Sequence, residues 1–383
     1  YNMLQYPTSS TIADATTRNM STAYISNNSW GPEDGTGTFH DSVSAWRTAT
    51  DTAVTSGRGG KGTSFFWAAG NGAISASSTY TDTSNYDGYA NYYGVTAVCA
   101  VGDDGTIATY SEPGANVWIC GPSEGPTGNA IYTTDLVGIY GYNSTSGADL
   151  TNRAYTKVFN GTSAAAPMIS GVAALMYKAN PNLSWRDVRA ILAKTARKND
   201  PTNAGWATNG ATPAYNISYD FGFGMVDADA AVTEAASWIN LGSMVTFSFP
   251  TSGAQTVSAS IPQDGSAASS TLVVAGSGIT KLEYVEITVG ATHADWGSLQ
   301  IDLVRSGGYS TASRLASSHT CYDSASAPQN AIDCTNSSNS FRFGSARHLG
   351  EAANGSWTLN IKDMNSDAKT GTFNSWRLRL FGN

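Results

Sequence analysis

The sequence predicts an α/β fold, a parallel sheet with flanking helices, followed by an all-β sandwich. Two textures predict it. Up to about Trp238 apolar strand-like runs alternate with helical segments, the pattern that builds a parallel sheet covered by helices. After Leu241 short alternating strands split by Gly- and Ser-rich turns take over, the pattern of antiparallel sheets. The change falls near residues 238–245 and divides the chain into residues 1–240 and 241–383.

In the first part, residues 22–25, 64–67 and 94–98 read as buried strands. Apolar residues at helical spacing between 167 and 179 predict one helix, and Ser184 with Asp187 forms a capping box that opens another, ahead of Val188, Ile191 and Leu192. In the second part, residues 282–287 and 299–303 alternate as half-buried strands. Residues 265–270 and 321–340 read as surface loops, and no internal repeat is present.

A chain of 383 residues is long enough for one medium and one small domain, each with its own core. With 41% hydrophobic and 13% charged residues it is a globular chain rather than a disordered one. A net charge of -8 and the lack of a Lys/Arg run interleaved with aromatics exclude a general affinity for nucleic acid. The acidic balance suits cationic substrates or metal ions as well as plain solubility. No apolar run reaches the length of a membrane span. The start, Tyr1-Asn2-Met3-Leu4, lacks the pattern of a signal peptide, so any export signal is expected upstream. The cysteines fall into two local pairs without zinc-site spacing. Two disulfides, Cys99 with Cys120 and Cys321 with Cys334, in an oxidising compartment are preferred over four buried free thiols.

The sharpest motif is Asn160-Gly161-Thr162-Ser163-Ala164-Ala165-Ala166-Pro167, leading into the first predicted helix. A serine there stands beside backbone N–H groups able to hold a developing oxyanion, Gly161 permits the tight entry and the alanines permit close packing. Pro167 is compatible with a first helical turn, which has no internal N–H bond to lose. Taken alone, a serine at a helix start is ordinarily an N-cap. Two further segments add weight: residues 65–72, an apolar strand ending Ala69-Gly70-Asn71-Gly72, and Ser29-Trp30-Gly31-Pro32-Glu33-Asp34. Together these resemble the subtilisin superfamily of serine proteases, and Ser-Trp-Gly-Pro-Glu-Asp resembles its kexin and furin branch.

The resemblance implies a subtilisin-like domain with Ser163 as nucleophile and Asn71 as a side-chain donor to the oxyanion. It implies an S1 pocket lined by Asp34 and by Asp87 of Asp87-Gly88-Tyr89, with Trp30 and Pro32 beside them. Two carboxylates in a cleft favour a P1 Arg or Lys through charge-assisted hydrogen bonds. It also implies a calcium ion beneath S1, held by Asp34, Asp82 and Glu112; hard oxygen donors from separate loops suit that ion. Segments around Trp296, His348–Glu351, Trp357 and Trp376 resemble the P domain, a jelly-roll-like β-sandwich, and the three tryptophans read as inward, core positions of its strands.

A subtilisin-type site also needs a His base and an Asp that orients it. The family carries both in regions that would precede Tyr1, and none of His40, His293, His319 and His348 is a stand-in. The expectation is that these groups come from an upstream segment, such as a bound N-terminal fragment of the same protease. Thr17 stands where furin relatives carry an acidic S4 residue, so a multibasic preference is not implied. The expected partners are peptide or protein substrates with basic residues and a propeptide or chaperone. Two other readings compete: a non-catalytic relative used for binding, and a β-rich C-terminal part acting as an adhesin or carbohydrate-binding module. The run 57–63 fails as a phosphate loop because it lacks the Gly-Lys-Ser/Thr ending. Asn143-Ser144-Thr145 leaves glycosylation open.

Overall fold

A computed structural model describes residues 8–73, 82–144, 149–306, 311–324 and 330–383. Four parallel strands, β1 (Ile25–Asn28), β2 (Ser64–Ala68), β3 (Val95–Val101) and β4 (Val117–Pro122), pair in the order β1-β2-β3-β4. Every residue of β2 and β3 is buried, as strands covered on both faces require. The helices are α1 (Ser9–Thr17), α2 (Ser44–Gly60), α3 (Thr162–Ala179), α4 (Trp185–Thr195) and α5 (Ala228–Ser237). In α2, Trp46, Ala49, Thr50, Ala53 and Val54 follow helical spacing and are buried, which fixes its inner face. Helix α3 lies against β3, β4 and α5. A side chain at Gly121 would come within 2.7 Å of the Ala165 oxygen, so glycine is required where β4 meets the buried run Ala164–Ala166. Cys99 and Cys120 are opposite one another in the β3–β4 register and are joined by a disulfide, Cα–Cα 4.3 Å.

Two ribbons cap this layer, β5 (Ile131–Thr134) with β6 (Tyr155–Phe159), and β7 (Ala207–Thr208) with β8 (Asn216–Ile217). The sandwich that follows uses β9 (Val245–Phe249), β10 (Gln255–Ile261), β11 (Ala267–Val274), β12 (Leu282–His293), β13 (Leu299–Arg305), β14 (Ala312–Ala316), β17 (Ser340–Ser345), β18 (Gly355–Asp363) and β19 (Gly371–Gly382). One sheet runs β10-β19-β12-β17 with β9 also on β19, and the other runs β11-β18-β13-β14. A small ribbon, β15 (Cys321–Tyr322) with β16 (Ala331–Ile332), lies beside the Cys321–Cys334 disulfide. Trp296, Trp357 and Trp376 are each 0% exposed in the sandwich core.

The sequence reading needs four corrections. The first strand is Ile25–Asn28, three residues later than expected, because Tyr24 only reaches the sheet through its carbonyl, which accepts from Ser64 N–H at 2.9 Å. Residues 267–270 belong to β11 rather than to a loop: small Ser and Thr residues occupy its outer face and hide the buried Ala268, Leu272 and Val274. Trp296 lies on a short 3₁₀ turn, Trp296–Ser298, and not on a strand. Helix α3 begins at Thr162, which makes Pro167 its sixth residue and places it beyond the first turn.

The two parts share a polar junction. The turn Ser84–Tyr86 inserts between them: Asn85 Nδ2 donates to the Gly344 and Leu315 oxygens at 3.1 and 3.3 Å, and Asn85 Oδ1 accepts from Gly344 N–H at 2.8 Å. Tyr86 stacks on His319 at 4.7 Å, Tyr284 donates its hydroxyl to the Asn91 oxygen at 3.0 Å, and Arg186 pairs with Glu283. Asn85 is 1% exposed, so Asn85→Ala would strand several buried groups. The expected cost is about 2–4 kcal/mol, checked by the urea midpoint of the variant against the wild type.

Candidate active site

Ser163 is the second residue of α3, behind Thr162 and the N-cap Gly161, whose φ of 84° suits glycine. Its N–H is one of the first-turn donors that a helix leaves without an internal acceptor. The entry is tied to the end of β2 through Asn71. Asn71 Oδ1 accepts from Thr162 N–H at 2.8 Å and Thr162 Oγ1 at 3.0 Å. Because a backbone N–H can only donate, this fixes the amide orientation and turns Nδ2 toward Asp34, where it donates to Oδ2 at 3.0 Å. One Asn71 hydrogen is therefore engaged, and a second remains on the same nitrogen.

Ser163, Asn71, Trp30, Pro32, Asp34 and Asp87 line one cleft of about 120 Å³, together with Ser29, Gly31, Ala68 and Gly70. The sequence elements expected to cooperate are thus brought together from β1, β2, α3 and two loops. Asp87 closes the floor under Gly31, where a side chain would meet its Oδ2 at 3.1 Å.

Beneath that floor lies a second cavity of about 10 Å³, room for roughly one water-sized sphere, lined by Pro32, Glu33, Asp34, Thr38, His40, Asp82, Thr83, Tyr86, Asp87 and Glu112. Asp82 and Glu112 are 6% and 3% exposed. Asp82 accepts from the N–H groups of Gly35 (3.0 Å), Gly37 (3.2 Å) and Thr83 (2.9 Å), and Glu112 accepts from Gly72 N–H at 2.9 Å. A side chain on Gly70 would reach within 2.3 Å of the Glu112 carboxylate, so this loop closes only with glycine.

The charged neighbours acting on these four carboxylates are one another. Burial, against the Asn71 hydrogen bond, raises Asp34. Burial pushes Asp82 and Asp87 up to about 7, reinforced by the Asp34 charge, and lifts Glu112 well above the usual carboxylate range, reinforced by Asp82 and Asp34. Buried carboxylates held by backbone N–H groups, without a cationic side chain among their causes of shift, form a donor set that fits one hard divalent cation. Asp34, Asp82 and Glu112 are the residues that could hold it. Among the described residues, the one cluster with side-chain ligand atoms all within 4.8 Å is His319, Cys321 and Cys334, and the disulfide consumes both sulfurs.

Among the described residues no imidazole lines the Ser163 cleft. His40 borders the acidic cavity, His293 meets buried Asp363 at 3.3 Å, and His319 stacks on Tyr86. His348 bonds Glu351 at 3.0 Å and Ser313 at 3.1 Å, the groups of a hydrolytic triad. Ser313 is 0% exposed, however, so no substrate reaches it; Glu351 accepts from Gly210 N–H at 2.8 Å, and the chain is an internal strut. Asn143 is 2% exposed and its amide donates to the Leu150 and Tyr155 oxygens, which makes it a poor glycan acceptor. Thr17 ends α1. Ser29 was visible only as part of a motif, and its contact with α3 was not.

The chain as a whole has counterparts among known proteins. Residues 4–224, more than half of the chain, match the subtilase family, and the chain belongs to it. Residues 282–380 match the proprotein convertase P-domain. Proprotein convertase subtilisin/kexin type 7 of Homo sapiens is 30% identical over 361 residues, covering 92% of this chain and 42% of that protein. The chain thus spans less than half the length of that relative. A calcium-dependent protease of Trichormus variabilis is 38% identical over 220 residues, covering 53% of this chain and 31% of its own. In fold, the serine protease of Aeromonas sobria, solved in complex with the chaperone ORF2, superimposes with a TM-score of 0.78 at 22% identity, over 99% of this chain and 74% of that one.

The raised carboxyls set a pH dependence. In the absence of a divalent ion the folded chain keeps protons on Asp82 and Asp87 that the unfolded chain releases near the ordinary value of 3.8. The native state then binds more protons between about pH 4 and about pH 7, so stability falls as pH rises through that window. Thermal unfolding in chelator is expected to give a lower midpoint at about pH 7.5 than at about pH 5. Asp82→Asn should flatten this slope; an unchanged slope would show that these groups are solvated.

Proposed function

We propose that the protein is a secreted, calcium-dependent serine endopeptidase that cleaves peptide bonds after Arg or Lys through an acyl-enzyme. The observation that carries this reading is the single cleft in which Ser163, Asn71, Asp34 and Asp87 meet. Ser163 Oγ attacks the scissile carbonyl, and its own N–H with the second hydrogen of Asn71 stabilises the oxyanion. Asp34 and Asp87 receive the P1 cation, with Trp30 and Pro32 forming the walls. The imidazole that takes the proton from Ser163, and the carboxylate that orients it, would come from chain outside residues 1–383.

A calcium ion held by Asp34, Asp82 and Glu112 would supply the positive charge that allows these carboxylates to ionise under the S1 floor. The paired cysteines and the kexin-type relative support an oxidising, secretory setting. The chaperone bound to the Aeromonas sobria protease supports a folding partner of this kind for the present protein. Residues 1–240 are proposed as the catalytic portion and residues 241–383 as the P domain that buttresses it.

The test is hydrolysis of a P1-Arg peptide by the natural gene product. Ser163→Ala should abolish it, chelation should weaken it, and Asp87→Asn should lower kcat/KM about 10- to 100-fold, the worth of one charged hydrogen bond. Equal turnover of a P1-Leu peptide by the wild type would refute the pocket assignment, and no turnover at all would favour a binding protein on the same scaffold.

A further inference from the structure

The inference concerns Ser29 and rests on the reading of Ser163 as nucleophile. Pro167, the sixth residue of α3, has no N–H, so the carbonyl four residues earlier, that of Ser163, lacks the donor an α-helix would ordinarily give it. Ser29 Oγ donates to that oxygen instead, at 3.0 Å, from 134 residues away in the sequence. The hydroxyl is itself held: Asn27 Nδ2 donates to it at 3.2 Å, and Ser170 Oγ, roughly two turns along α3, donates to Asn27 Oδ1 at 3.2 Å. The chain leaving β1 is stitched to the helix at two heights, one of them the nucleophile residue.

Ser163 is thereby fixed from both sides. Before it, Thr162 is bound to Asn71; after it, its own carbonyl is bound to Ser29. A plain helix would orient the Ser163 carbonyl along its axis through residue 167, and the proline transfers that control to the strand that also carries the S1 wall. We propose that Ser29 is a positioning residue: through the Ser163 carbonyl it sets the angle of the nucleophile's peptide, and with it the direction of the Ser163 N–H and Oγ, relative to the cleft. Reaction geometry is sensitive on this scale, since a misplacement of about 1 Å can cost about 100-fold in rate.

Kinetics of the natural gene product with a P1-Arg peptide test this. Ser29→Ala should lower kcat about tenfold with KM within about twofold, and Ser29→Thr, which keeps the hydroxyl, should restore most of it. Pro167→Ala supplies a helical N–H to the same carbonyl, so in that background Ser29→Ala should cost less than about twofold. An equal loss in both backgrounds, or wild-type kcat in Ser29→Ala, would overturn the inference. If the wild type hydrolyses nothing, the proposed function fails, and the anchor is read separately from the carbonyl 13C resonance of Ser163, identified by its loss in Ser163→Ala. That resonance should move upfield in Ser29→Ala and move far less when Pro167→Ala is also present; no movement in the single variant would overturn the anchor itself.

Discussion

Four carboxylates that share one small cavity impose the constraint around which the rest of this protein is arranged. Asp34, Asp82, Asp87 and Glu112 come from three separate loops, and each finds mainly the others as charged neighbours. Burying carboxylates costs free energy unless hydrogen bonds or a cation compensate, and their mutual charge adds to that cost, so the loops that carry them need restraint from outside. The restraints are visible. Backbone N–H groups of Gly35, Gly37, Thr83 and Gly72 grip the acids, and side-chain-free positions at Gly70 and Gly72 let the strand end approach Glu112.

The β-sandwich belongs to the same account. Its contact with the first part is centred on residues 84–91, the segment that joins Asp82 to Asp87 and continues past it. Asn85, Tyr86 and Asn91 are each bound to backbone or side chains of the sandwich, and His319 Nε2 meets the Gly37 oxygen at 2.7 Å on the other acidic loop. The second part therefore clamps two of the three loops that carry the acids. Its fully buried tryptophans and struts such as Ser313–His348–Glu351 make the clamp rigid, although they stand well outside the cleft.

How much of this could be read from the sequence depends on range. Ser163, Asn71, Asp34 and Asp87 sit in contiguous motifs, a helix entry, a strand end and acidic turns, and the resemblance of those motifs to a known family, not residue type alone, singles them out. The strand β11 was hidden because Ser269 and Thr271 carry no apolar signal on the face away from the core, and the core face itself includes a polar residue, Ser270, whose Oγ accepts from Trp376 Nε1. The role of Ser29 was hidden for a different reason: it exists only because α3 starts at Thr162, and a shift of one turn in the helix start would have put Pro167 where its missing N–H frees nothing. Likewise the orientation of Asn71 follows from a contact with Thr162 across 91 residues, which no local pattern encodes.

Asp34 and Asp87 have a double membership that ties specificity to stability on the proposed reading. Both line the Ser163 cleft and both line the acidic cavity beneath it, so a charge placed in either space is felt in the other. A cation below would offset the burial and the like charge that raise Asp82 and Glu112 and would favour ionised Asp34 and Asp87. A basic P1 side chain would then meet two carboxylates already desolvated on their lower side, where each charge-assisted hydrogen bond is stronger than in open water. An aliphatic P1 residue would remove water from the same carboxylates and return nothing, a loss that grows with how dry the floor already is. On the proposed reading, the crowding that burdens the fold would be the source of the discrimination. The amide of Asn71, donating to Asp34 and accepting from Thr162 N–H, joins that pocket to the helix entry beside Ser163 through two hydrogen bonds.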